Sequence, residues 1–261
     1  MASSTPAAAE FQHETITVNG VRVALLTAGR GEPLVFFHGG GTFHGFDFAR
    51  PWASRYRVII PYHPGWGDSA DAPEFASLHD YVLHYLDTFE QLGLERFNLV
   101  GLSLGGLLAA NFAIEHAHRL RKLVLVAAPG MDVPDHPSPD LSRIPPEQLP
   151  GYLVEDVSVL APHLPKQPSP EFLAARQREM QSLLRIMRPG TNGSKLAFWL
   201  HRVKVPTMIV WGEKDRIVPV QHADVWSQFI PGAKVQRIPG AGHLVLDEKP
   251  QSVEAIAEFL G

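Results

Sequence analysis

Along the chain, the spacing of apolar positions changes repeatedly, and each change marks an element. Glu14 to Val18 and Val21 to Thr27 are β-rich runs on either side of Asn19-Gly20. That dipeptide suits a two-residue hairpin, so two antiparallel strands are expected to open the fold. Leu34-Val35-Phe36-Phe37 is apolar at every position, as a strand buried on both faces must be. Tyr56 to Pro61 reads as another short strand. After Ser77, a helix cap, the residues Tyr81, Val82, Tyr85, Leu86, Phe89 and Leu92 recur at three- and four-residue spacing, which makes one apolar helical face ending near Leu92. Phe97 to Val100 predicts a buried strand and Leu104 to Glu115 a helix, kept thin by Gly105, Gly106, Ala109, Ala110 and Ala113 so that it can lie close to a sheet. Lys122 to Ala127 predicts the next strand.

Strands alternating with helices imply a mostly parallel, eight-stranded α/β sheet covered on both faces. The rhythm breaks at Pro129. Eleven of the 23 prolines fall between Pro129 and Pro170, and no strong strand returns before Lys204. Residues 130–203 are therefore read as an insertion over the carboxyl edge of the sheet, 13–129 and 204–261 as the core, and 1–12 as a flexible N-terminus. In the insertion, Glu171 to Met187 predicts a helix with Phe172, Met180, Leu183, Leu184 and Met187 on one side. A shorter helix carries Leu196, Phe198, Trp199 and Leu200. These residues can pack the insertion onto the core or line a pocket; Phe172, Met180, Leu183, Met187 and Trp199, with Leu244 from the core, are the candidate substrate contacts. Arg176, Arg178, Arg185 and Arg188 on the same stretch are read as a solvated face, with one of them binding an acidic substrate group as the alternative. Alternation resumes with a strand at Val205 to Trp211, a helix at Gln221 to Phe229, a strand at Lys234 to Ile238 and a final helix at Pro250 to Leu260.

Bulk properties narrow the picture by exclusion. The chain has 261 residues, 45% hydrophobic and 19% charged, with a net charge of -4, ordinary for a globular protein. No dense Lys/Arg run points to nucleic acid. Absence of cysteine removes disulfides and thiolate metal sites. Residues 1–10 lack a basic start and apolar core, so no secretory signal is expected, and no run approaches the roughly 20 apolar residues of a membrane span. A cytoplasmic protein with no cofactor and no nucleic-acid or membrane partner is the expectation; the oligomeric state is left open.

Three loops carry the chemistry. Gly101-Leu102-Ser103-Leu104-Gly105 stands between a predicted strand and helix, where so sharp a turn strains the corner residue and projects its hydroxyl into open space. A serine hydroxyl is a poor nucleophile and needs a base and a group to orient that base. Asp215, in Gly212-Glu213-Lys214-Asp215, and His243, in Gly240-Ala241-Gly242-His243, each lie just past a predicted strand. In a parallel sheet such loops emerge at one edge, so Ser103, His243 and Asp215 can converge as a triad.

With these motifs, and with His38-Gly39-Gly40-Gly41 after the third strand, the chain resembles the α/β-hydrolase fold superfamily over essentially its whole length, including the order serine, aspartate, histidine. The resemblance implies a serine hydrolase of carboxylesterase type. It further implies an oxyanion hole made by the backbone N–H of Leu104 and of Gly40, with Gly41 as the alternative donor. Asp132 occupies the acid position that some members use instead of Asp215, and Glu213 is a near neighbour. His38 is implied to orient the glycine loop, whereas His44 and His63 are read as exposed loop histidines, with a place beside the pocket as the alternative.

The expected reaction is cleavage of a small, largely apolar ester through an acyl-enzyme, with rate falling as acid protonates the base, about pH 6.5 for free histidine. Carbon–carbon bond hydrolysis of the meta-cleavage-product type is the runner-up. Those hydrolases share the glycine loop and triad, but here Leu244-Val245-Leu246 lacks their tryptophan and Thr42-Phe43 replaces a Pro-Gly-like continuation. Perhydrolase or acyltransferase chemistry, and a ligand receptor on the same fold, stay open.

Overall fold

The computed structural model describes residues 10–187 and 195–261. Its eight strands are β1 (Gln12–Val18), β2 (Val21–Ala28), β3 (Glu32–Phe37), β4 (Tyr56–Pro61), β5 (Phe97–Leu102), β6 (Leu120–Val126), β7 (Thr207–Gly212) and β8 (Lys234–Ile238). They form one sheet in the order β1-β2-β4-β3-β5-β6-β7-β8. Only the β1–β2 and β2–β4 pairings are antiparallel. The opening hairpin turns at Asn19 and Gly20 with both φ angles positive, 48° and 84°, the conformation whose twist matches that of its strands. β1 starts two residues before the expected Glu14, with Gln12 opposite Thr27.

Eight α-helices occur among the described residues: α1 (Leu78–Gln91), α2 (Leu104–His116), α3 (Leu149–Leu153), α4 (Pro170–Ile186), α5 (Leu196–Trp199), α6 (Gln221–Phe229), α7 (Val245–Glu248) and α8 (Pro250–Leu260). α1 begins in a capping box: the Ser77 hydroxyl accepts the Asp80 N–H, and the Asp80 carboxylate accepts the Ser77 N–H, so two otherwise unpaired donors are met. Helical turns at Asp47–Ser54 and Val157–His163, and the short α3 and α7, have no periodicity long enough to announce them in the sequence. None of the described helices is long and apolar enough to cross a membrane.

β5 is buried at all six positions and α2 on nearly every side, so this strand and helix form the centre of the core. Four tryptophans, Trp52, Trp66, Trp211 and Trp226, are fully buried, yet none strands its ring N–H. They donate to the carbonyls of Val253, Gly40, Val218 and Ala128 at 2.8–3.0 Å, which removes the cost of burying an indole donor.

The order of strands decides where the loops meet. β3 and β5 are neighbours although a helical turn, β4 and α1 intervene in sequence, and Phe37 pairs with Gly101. The glycine loop after β3 and the serine turn after β5 therefore leave the sheet side by side. Segments after β7 and β8 leave the same edge.

Candidate active site

Ser103 occupies the corner between β5 and α2 with φ 53° and ψ -119°, a conformation that costs a β-carbon-bearing residue of order 1–3 kcal/mol. Two close contacts hold it there. A β-carbon on Gly105 would lie 2.1 Å from the Phe37 carbonyl oxygen, and one on Gly101 would lie 2.3 Å from that of Gly105. Only glycine lets the end of β3, the end of β5 and the first turn of α2 come so near. The Ser103 N–H is taken by the Val126 carbonyl at 2.8 Å, which fixes the turn to β6.

The three residues predicted from separate loops are together. Ser103 Oγ lies 2.8 Å from His243 Nε2, and His243 Nδ1 lies 2.8 Å from Asp215 Oδ2. The second oxygen, Asp215 Oδ1, accepts the N–H groups of Ile217 and Val218 at 2.8 and 2.9 Å. Asp215 and His243 are buried. Its rivals, Asp132 and Glu213, are exposed.

The glycine loop packs against the serine turn, where a β-carbon on Gly39 would come 3.4 Å from that of Ser103. Its peptide planes are set from behind. His38 Nδ1 lies 2.7 Å from the Gly39 carbonyl, and Trp66 Nε1 donates to the Gly40 carbonyl at 2.9 Å. Because C=O and N–H point oppositely across a trans peptide, these bonds turn the N–H groups of Gly40 and Gly41 the other way. Leu104, the first residue of α2, carries one of the N–H groups that a helix start leaves unpaired.

Behind the loop lies a chain of neutral groups. The His63 N–H donates to His38 Nε2 at 3.0 Å, His63 Nε2 donates to the His38 carbonyl at 2.9 Å, and the Tyr85 hydroxyl donates to His63 Nδ1. This pattern admits one tautomer for each ring and no second proton on either. Burial and the neighbouring His63 push His38 well below the ordinary histidine range, and burial pushes His63 down to about 4. Burial pushes the Tyr85 hydroxyl well up. His44 is buried too and pairs through Nδ1 with Asp247 Oδ1 at 3.0 Å. The expectation that His44 and His63 are exposed loop residues is thus corrected: each has a partner far along the chain that turns it inward.

Helix α4 lies over the loop, and its inner face differs from the expected one. Glu179, Ser182 and Ile186 are its buried residues, whereas Met180 is 43% and Leu184 59% exposed. Apolar residues at 180 and 184 are a third of a turn out of phase with the contact. Leu183 does reach the site, with Cδ2 3.1 Å from where a β-carbon on Gly40 would be. Phe172 and Met187 are half-buried, Leu244 is buried, and Trp199 is 42% exposed beside Phe198.

The arginines are not simply a solvated face. Arg178 donates to the carbonyls of Gly65 and Gly67, and Arg185 pairs with Asp71 at 2.7 Å. Arg176 pairs with Glu179 at 2.9 Å and lies between the rings of Phe43 and Phe172. Its Nε and Nη1 are buried without a hydrogen-bond partner among the described residues, and Nη1 is 3.9 Å from where a β-carbon on Gly41 would be. Arg188 lies outside the described residues. No group of three histidine, aspartate or glutamate side chains among the described residues could hold a metal ion.

Known proteins match most of the chain. The sequence profile of the alpha/beta hydrolase family matches residues 34–256. A 2-hydroxy-6-oxo-6-phenylhexa-2,4-dienoate hydrolase of Burkholderia cepacia is 26% identical over 255 residues, covering 87% of this chain and 86% of that protein. Among solved structures, a bacterial membrane phospholipase A superposes with a TM-score of 0.83 at 24% identity, over 96% of this chain and 86% of that one. Naproxen esterase of Bacillus subtilis superposes with a TM-score of 0.78 at 22% identity, over 97% and 92%.

Proposed function

The chain belongs to the alpha/beta hydrolase family, and on that footing we propose that it is a serine hydrolase cleaving a carboxylic ester of a small, largely apolar substrate. The observation that carries this reading is the unbroken line from Ser103 Oγ through His243 to Asp215, two contacts of 2.8 Å, built on a serine with φ 53°. His243 Nε2 takes the Ser103 proton as Oγ attacks the ester carbonyl. The resulting oxyanion is met by the N–H groups of Leu104 and Gly40, with Gly41 as the alternative donor. Collapse expels the alcohol, which receives the proton from His243, and leaves Ser103 acylated. Water attacks that acyl group with His243 as base again, and the acid departs. Asp215 keeps Nδ1 protonated and stabilises the imidazolium. The described part of the insertion, residues 130–187 and 195–203, serves as a cap over this chemistry, with Leu183 and Phe172 at the pocket wall. No cofactor enters the reading.

Fluorophosphonate labelling tests the nucleophile: Ser103 is expected to be the labelled residue, and Ser103→Ala to abolish both labelling and turnover across p-nitrophenyl esters of increasing chain length. Labelling without turnover of any ester would sink the esterase reading.

Carbon–carbon bond hydrolysis is the second reading. The two unpartnered nitrogens of Arg176 beside Gly41 suit a carboxylate, and the Burkholderia relative acts on a dienoate. Faster turnover of 2-hydroxy-6-oxo-6-phenylhexa-2,4-dienoate than of any ester, lost in Arg176→Gln, would favour it.

A further inference from the structure

We propose that Glu179 is a positioning residue, through which docking of helix α4 sets the shape of the oxyanion loop. This rests on the serine-hydrolase reading above.

A carboxylate at the centre of a buried helix face is costly unless its oxygens are satisfied, and a well-packed apolar residue would stabilise the contact as well or better. Glu179 has a side chain 2% exposed, and its partners lie at chosen places. Oε1 accepts from the Thr42 hydroxyl at 2.6 Å, from Arg176 at 2.9 Å and from the Gly67 N–H at 3.3 Å; Oε2 accepts from the Thr42 N–H at 3.3 Å. One residue of α4 thereby holds two loops of the core, and the first of them is the continuation of Gly40 and Gly41.

Neighbouring turns of the helix contact the same loop. Arg176 stands beside Gly41, Glu179 binds Thr42, and Leu183 rests on Gly40. Residues three and four apart share a face, so one stripe of α4 covers three consecutive residues of the loop. The core fixes the loop at its start, through His38 and Trp66. Beyond Gly41, the Thr42 carbonyl accepts a local turn bond from Gly45 at 3.1 Å and both Thr42 donors belong to Glu179, and the next tie to the core is His44, paired with Asp247. When α4 is seated, Gly40 and Gly41 are held closely from both sides, by Trp66 before and by Glu179 through Thr42 after. When it is not, Thr42 turns its donors to water and the span between Gly40 and the His44 anchor loses its middle contact. Oxyanion stabilisation is thus strongest with the site covered, where the field of two N–H groups is least screened.

The test compares wild type with Glu179→Ala, Glu179→Gln and Thr42→Val. Reactive serines are counted with a fluorophosphonate, so that each rate refers to a competent site. kcat and KM are measured on a p-nitrophenyl ester, and affinity is measured for an alkyl trifluoromethyl ketone, whose adduct with serine places an oxyanion at the two donors. Loss of positioning is expected to lower kcat about 10- to 100-fold per titrated site in Glu179→Ala and Thr42→Val, with KM within about twofold. Ketone affinity should fall in step with kcat, and Glu179→Gln should recover much of the loss, since its amide oxygen still accepts from Thr42. If Glu179→Ala fails to fold, Thr42→Val, which removes one hydroxyl and keeps the volume, decides alone. Wild-type kcat and ketone affinity per titrated site in Thr42→Val, or a rise in KM with kcat unchanged in Glu179→Ala, overturns the proposal. A wild-type protein that neither labels nor turns over esters would instead remove the hydrolase reading beneath it.

Discussion

Asp215 divides its oxygens between two tasks: Oδ2 accepts from His243 Nδ1 at 2.8 Å, while Oδ1 accepts the N–H groups of Ile217 and Val218. The carboxylate is therefore aimed by its own loop before the imidazole arrives. Asp215→Asn is expected to keep those two backbone bonds and to present an amide NH2 to the ring. That drives His243 into the tautomer with a proton on Nε2, facing Ser103, where it cannot act as base. A loss of about 10^3- to 10^4-fold in kcat with an unchanged melting temperature is the expected outcome. Asp132→Asn, at an exposed position, should leave kcat within about twofold; a comparable collapse there would transfer the acid role to Asp132.

Acid should destabilise the fold through the loop's supporting histidines. Unfolded, His63 titrates near 6.5; folded, burial holds it at about 4. Between those values the unfolded chain takes a proton that the folded chain refuses, so the stability is fully present above about 6.5 and falls as the pH drops toward 4. His38 is shifted the same way, and His84 is also held at about 4 by burial. One such site is worth about 3 kcal/mol across the whole window. Urea unfolding at about pH 5 should therefore give a stability at least about 2 kcal/mol below that at pH 7. Equal values would mean that the rings are not kept neutral.

The two glycines of the serine turn should be separable from those of the loop. A β-carbon at Gly105 meets a backbone oxygen at 2.1 Å, and backbone cannot step aside. Gly105→Ala is expected to cost about 3 kcal/mol or more and to yield little folded protein. At Gly40 the obstacle is the end of the Leu183 side chain, 3.1 Å away. Gly40→Ala should fold, with circular dichroism like wild type, and lose activity.

Contact with the site along α4 follows phase, not polarity. Leu183→Ala, which uncovers Gly40, is expected to change kcat/KM by about tenfold or more. Met180→Gln, on the exposed side of the same helix, should change it by less than about twofold, as should Trp199→Gln. A large effect at Met180 would show that α4 turns a different face to the substrate than to the core.

The sheet and the three chemical loops were legible because each announces itself locally. Uniformly apolar strands, a glycine-flanked serine and a histidine after a glycine turn need no distant partner to be recognised. Strand order was not, since the swap of β3 and β4 is a matter of pairing, and Tyr56 to Pro61 reads alike in either place. Glu179 was missed because a lone carboxylate in a helix reads as solvent-facing, and the eye follows Met180 and Leu184 to the wrong side. One signal was available: Glu179 lies seven residues from Phe172 and four from Leu183, on their stripe. His44 and His63 escaped for a similar reason, with partners 203 and 22 residues away.

The strained serine turn has a consequence in time. His243 lies 140 residues beyond Ser103, so a ribosome adding roughly 5–20 residues per second makes the serine about 7 to 28 seconds before the ring that faces it. Throughout that interval Ser103 has no partner for its proton, and β8, the edge strand that delivers the histidine loop, does not yet exist. Until then the serine is chemically silent, and its reactivity depends on the last strand of the sheet in chain order.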